Sequence, residues 1–123
     1  MDVIINILVG FVALEHFYFM YLEMFLWTKP KGIKAFGLKS KIFAEETKVL
    51  AANQGLYNGF LAAGLLYSLL IENNNMMAFL LVCIIIAGIY GAYSTQKRKL
   101  FYIQSLPAII TLVLIYLKSQ NYL

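Results

Sequence analysis

The sequence predicts an all-α integral membrane protein, an up-down bundle of four transmembrane helices with both termini outside. Three observations carry this. Of 123 residues, 62% are hydrophobic and 13% charged, with a mean hydropathy of +0.76; a soluble domain holds roughly 45–50% apolar and about 25% charged residues. The apolar residues gather into four runs close to the ~20 residues a helix needs to cross a bilayer. Nine of the ten basic residues fall in two of the segments between those runs. One cysteine, Cys83, excludes a disulfide scaffold, and so wide an apolar excess excludes disorder.

The first span is expected over about 3–27. It is read as a retained helix rather than a signal peptide, because its apolar run is long, no basic residue precedes it, and Glu15 and His16 lie midway. The second is expected over about 49–71, the third over 76–93 and the fourth over 101–117. Glu72-Asn73-Asn74-Asn75 reads as a tight turn, and residues 94–99 as a short link. The one long connection is 28–48, expected as a loop. Short links favour antiparallel neighbours, so the 123 residues form one four-helix domain.

Orientation follows from lysine and arginine, which are retained on the cytoplasmic side. Lys29, Lys31, Lys34, Lys39, Lys41 and Lys48 lie in the first connection and Lys97, Arg98 and Lys99 in the third; Lys118 alone lies opposite, with Asp2 and Glu72. Both termini are therefore expected outside, in the inner membrane of a bacterium. The net charge of +4 is accounted for at membrane ends and calls for no nucleic acid. Interleaved with Ile33, Phe36, Leu38, Ile42 and Phe43, the lysines of 28–48 suit an anionic lipid surface, or simply a solvated loop that sets topology.

Polar groups inside a bilayer are costly and usually face a bundle interior. The first span carries Glu15, His16 and Glu23; the second Asn53, Gln54, Tyr57 and Asn58; the third Tyr90, Tyr93 and Ser94; the fourth Tyr102, Gln104 and Ser105. With the expected topology, all of these fall between the midplane and the cytoplasmic face. The outer half is aliphatic apart from Asn6. This asymmetry predicts a polar cavity closed to the outside and open to the cytoplasm. His16 and Glu23 are seven residues apart on one helix face, with Phe19 between them and Glu15 about 100° round. Gln54 and Asn58, four apart, share a face with Tyr57 adjoining. The candidate pocket residues are thus Glu15, His16, Glu23, Asn53, Gln54, Tyr57, Asn58, Tyr90 and Gln104. No metal is expected: one histidine and one cysteine do not make an ordinary zinc site. No phosphate loop and no serine triad signature is present, and the sequence names no particular cofactor.

Small residues mark expected helix contacts. Gly55 and Gly59 have GxxxG spacing, with Gly64 after them, and Ala87/Gly91 and Gly88/Ala92 repeat it on the third span. Pro107 frees the carbonyl of Ile103 and predicts a kink, serving either cavity or packing. Four short helices leave little internal volume, so a homo-oligomer is expected for any transport or catalysis.

Several stretches carry a resemblance. The first span reads Glu15-His16-Phe17-Tyr18-Phe19-Met20-Tyr21-Leu22-Glu23, and the second Asn53-Gln54-Gly55-Leu56-Tyr57-Asn58-Gly59-Phe60. The third ends Gly88-Ile89-Tyr90-Gly91-Ala92-Tyr93-Ser94, and the fourth contains Gln104-Ser105-Leu106-Pro107-Ala108. Over nearly its whole length the chain resembles the bacterial domain-of-unknown-function family 1304, which implies a small four-span membrane protein. It is more distantly similar to the membrane-associated eicosanoid and glutathione metabolism proteins, which implies a trimer with a cytoplasm-facing ligand. Where those proteins have a Glu-Arg pair and a further arginine, this chain reads Glu45-Glu46-Thr47-Lys48-Val49.

Three functions stay open at this level. One is a cytoplasm-facing intramembrane pocket for a small amphipathic molecule, with Glu15 or His16 available as a general base. Another is a proton-linked exporter or channel with Glu15 as the titrating carrier. The last is a structural protein whose polar residues only lock helices together.

Overall fold

The computed structural model describes residues 2–122, and every regular element among them is helical. Five helices follow in order: α1 (Asp2–Phe25), α2 (Pro30–Phe36), α3 (Lys41–Leu70), α4 (Asn74–Thr95) and α5 (Arg98–Ser119). Three of them, α1, α4 and α5, are long and apolar enough to cross a membrane. Their outer faces are lined with large apolar side chains such as Ile7, Leu14, Phe79 and Ile86, all more than half exposed. Such surface is costly in water and ordinary against lipid tails. The protein is therefore a membrane protein.

The long helix α3 differs from these three. Its 30 residues measure about 45 Å at 1.5 Å per residue, more than the ~30 Å hydrocarbon core. Asn53, Gln54 and Asn58 interrupt its apolar run, and its first turns carry Lys41, Glu45, Glu46 and Lys48.

The chain divides into two compact units, Met1–Ala13 with Ala63–Leu123, and Leu14–Ala62. In the first unit, α4 packs on α5. The α4 side chains that turn inward, Met77, Leu81, Ile84 and Gly88, are spaced four, three and four apart. Ala108, Thr111 and Ile115 answer them from α5, with Ile5, Val9 and Val12 of α1 and Leu65 and Ser68 of α3 also buried. This 3–4 spacing is the seam along which one helix face packs on another. Lys118 pairs with Asp2, tying the end of α5 to the start of α1.

The turn after α3 forms as expected. The amide of Asn73 donates to Ser68 O at 2.9 Å and that of Glu72 to Leu69 O at 3.2 Å, closing the helix. Asn73 then caps α4, its Oδ1 accepting from the Met76 amide at 3.0 Å. Glu72 takes a left-handed conformation, φ 52°, to join the two.

Two expectations are modified. The 28–48 connection is not a plain loop: it holds α2 and the first turns of α3. Pro30 stands in the first turn of α2, where its missing N–H costs nothing. Gly37 ends that helix at φ 59°, donating to Ile33 O and Lys34 O. Ser40 Oγ accepts from the Phe43 amide at 3.0 Å and starts α3 eight residues before the expected span. Near Pro107, the helix does not simply kink. Residues Phe101–Ser105 form a π-turn, in which the Leu106 amide reaches back to Phe101 O. One extra residue in the turn is a common way for a helix to absorb a proline nearby.

Candidate functional site

The unit Leu14–Ala62 gathers the second half of α1, α2 and most of α3. Its polar centre is built from two facing stripes. On α1, His16 is fully buried and Glu23 is 3% exposed. Seven residues place them on one face, as 3.6 residues per turn requires. The His16 ring meets the Phe19 ring edge-on at 5.2 Å. On the part of α3 within this unit, the buried positions are Ala44, Ala51, Gly55, Asn58, Gly59 and Ala62. All but Asn58 are alanine or glycine, so the two backbones can come close.

The glycines show how close. A Cβ on Gly55 would lie 2.8 Å from Met24 Cγ, 3.0 Å from Glu23 Cβ and 3.2 Å from Met20 O. One on Gly59 would lie 2.5 Å from Met20 Sδ. The GxxxG pair is therefore the floor on which Met20, Glu23 and Met24 rest. Between the two glycines, Asn58 Nδ2 donates to Glu23 Oε1 at 2.5 Å. A neutral amide, not a cation, holds this carboxyl: among the described residues neither Glu23 nor Glu15 makes an ion pair. Four residues beyond Glu23, in the turn that follows α1, Trp27 Nε1 donates to Thr47 Oγ1 at 2.9 Å, a second polar link to α3.

Helix α2 folds back on the end of α1. Gly32 is buried so tightly that a Cβ there would overlap the Leu26 carbonyl. The rings of Trp27 and Phe36 stand 5.0 Å apart, and Lys31 Nζ lies 5.5 Å from the Tyr18 ring centre. These contacts fix Lys29, Lys31 and Lys34 beside the α1 terminus, all three exposed.

The nine candidate residues thus separate. Glu23 and Asn58 meet, with His16 buried on the same α1 face. Glu15 is half-buried, and its Oε1 is enclosed with no hydrogen-bond partner among the described residues. Asn53, Gln54 and Tyr57 are exposed, although Gln54 lies only one turn from Asn58. The 40° between them takes Gln54 off the packed stripe, where Gly55 stands instead. Tyr90 is exposed and Gln104 half-buried, and both belong to the other unit. Met20, Met24 and Thr47 were not among the candidates. Met20 and Met24 had a signal, since 16, 20, 23, 24 and 27 follow helical spacing; Thr47 had none.

The family of proteins of unknown function DUF1304 matches residues 10–116, a stretch that includes every candidate residue. An uncharacterised protein of Lactococcus lactis, YpaA, is similar to this chain, 33% identical over 116 residues; the match spans 92% of this chain and 97% of that protein. No solved structure matches. Nothing in these matches supports the more distant likeness to the eicosanoid and glutathione proteins. With most of its length covered by the family and a full-length relative at this identity, the chain belongs to the DUF1304 family.

Proposed function

We propose that the polar centre of the Leu14–Ala62 unit receives the polar end of a small amphipathic molecule within the membrane, from the cytoplasmic side. The observation that carries this reading is Glu15 Oε1, enclosed without a hydrogen-bond partner among the described residues beside fully buried His16. A buried polar oxygen without a partner is disfavoured by about 1–3 kcal/mol, so the polar end of a bound molecule that donates to it would be stabilised there. Glu23, held by Asn58, forms the far polar wall. In this reading α3 is the fourth span, α1, α3, α4 and α5 run up and down, and both termini face outward. The lysines of α2 then rest on anionic lipid at the cytoplasmic surface of a bacterial inner membrane. The apolar outer faces also leave room for a homo-oligomer. Proton-linked export through Glu15 is the alternative use of the same carboxyl, and helix locking alone is the third.

Native mass spectrometry of the gently solubilised protein tests the proposal together with Glu15→Gln. Retention of a defined small molecule by the wild type and its loss in the variant, with unchanged helicity, supports the site. If the variant is more stable, carries the same molecules as the wild type and shows no lost flux in proteoliposomes, the polar centre only locks helices.

A further inference from the structure

A cleft of about 390 Å³ lies between the end of α4 and the start of α5, lined by Ile89, Ala92, Arg98, Phe101 and Tyr102. Its size is in the range of small-molecule sites, ~300–1,000 Å³. Apart from the Arg98 guanidinium its walls are mostly apolar. The π-turn begins at Phe101, and the Phe101 and Tyr102 rings stand edge to face at 5.5 Å. π-turns often occur where a helix serves a site.

Among the described residues Arg98 makes no ion pair. The acidic residues of its unit are Asp2 and Glu72. Lys118 holds Asp2, and Glu72 precedes the 22-residue helix α4 at its other end, about 33 Å from Arg98 along the axis. No acidic residue follows Glu72, while Lys97 and Lys99 flank the arginine. Within this unit the charge carried beside the cleft is therefore positive. Exposed Tyr90, Tyr93 and Tyr102 ring the same end of the two helices, as aromatic residues do at a membrane–water boundary. A planar guanidinium presents paired N–H groups that match phosphate oxygens.

We propose that this cleft seats one anionic bilayer phospholipid, its phosphate on Arg98 and the first carbons of its chains against Ile89, Phe101 and Tyr102. The seat lies wholly within the unit that excludes the Glu15–Asn58 centre, and it stands whether or not that centre binds anything. In a zwitterionic lipid the choline cation sits beside the same guanidinium that holds the phosphate and competes with it for those oxygens, so Arg98 selects for net negative charge.

The test uses the full-length protein in vesicles of equal phosphatidylglycerol and phosphatidylcholine, solubilised gently and weighed by native mass spectrometry. The wild type is expected to retain phosphatidylglycerol about tenfold over phosphatidylcholine, the order of one charge-assisted contact. Arg98→Gln should bring the two lipids to parity, while Lys99→Gln leaves the preference within about twofold of wild type. Ala92→Phe, which fills the cleft and leaves every charge in place, should lose the lipid as well. It carries the test if Arg98→Gln fails to fold. The proposal is overturned by wild-type preference in either Arg98→Gln or Ala92→Phe, by equal loss in Lys99→Gln, or by equal retention of phosphatidylcholine. Displacement of the lipid by millimolar inorganic phosphate also overturns it, since the site would then take a free anion.

Discussion

Replacing Asn58 by alanine removes the donor that Glu23 Oε1 receives at 2.5 Å. Both side chains are at most 9% exposed, so water does not take the amide's place. A hydrogen bond to a charged group contributes about 1.5–3 kcal/mol in soluble proteins. Between membrane helices the average is only about 0.6 kcal/mol, with a ceiling near 1.7, because the inserted but unfolded chain finds other partners. Short distance and near-complete burial place this pair near that ceiling, at about 1.5 kcal/mol of coupling. Asn58→Ala alone should cost more than the coupling, since it also opens space between Gly55 and Gly59 beside Met20. Glu23→Gln keeps an acceptor oxygen and should keep most of the stability. The assay is a double-mutant cycle of Glu23→Ala and Asn58→Ala, unfolded in mixed micelles of rising dodecyl sulfate. Trp27, the single tryptophan, reports the transition from its bond to Thr47. Coupling under about 0.3 kcal/mol, the level of independent sites, would refute the pairing.

Other expectations follow from backbone proximity. Gly32→Ala drives a Cβ into the Leu26 carbonyl, which is backbone and cannot rotate away; it should cost at least ~2 kcal/mol and separate α2 from α1, seen as loss of Trp27–Phe36 ring contact in fluorescence. Gly88→Ala meets Ser105, which donates from Oγ to Ile85 O at 3.0 Å; it should lower the unfolding midpoint by an amount equivalent to about 1–3 kcal/mol. Gly10→Ala, with open space around it, should instead raise the midpoint by up to ~1 kcal/mol through helix propensity. Glu72→Asn places a residue tolerant of positive φ at the left-handed joint between α3 and α4, and should stabilise by about 0.5 kcal/mol in the same titration.

Much of the helical order was legible because it rests on local rules. The runs that became α1, α4 and α5 differ from the expected spans by a few residues at their ends. The asparagine run after Glu72 announced a turn and a cap, and Asn73 supplies both. Helix α2 was legible too, and the 28–48 reading passed over it: Pro30 within the first turn and Gly37 just past the end are a start and a stop. The extension of α3 to Lys41 had its signal in Ser40. The π-turn had less. Pro107 announces a disturbed helix, and whether the chain kinks or inserts a residue depends on what packs beside it, here Gly88 against Ser105.

What the sequence by itself determined was composition, helix and membrane, together with membership in the family. Those follow from apolar run length, from backbone groups that must be paired within a segment, and from residues compared in order. What only the tertiary structure decided was which polar side chains meet. Asn53, Gln54 and Asn58 stand within two turns of one helix, yet only Asn58 reaches a carboxyl from α1. The phase of α3 is set by where it can approach α1 most closely, and that is the line through Ala51, Gly55, Gly59 and Ala62. Asn58, at the edge of that line, is buried and finds a partner; Gln54, a further 40° round the helix, faces outward and need not.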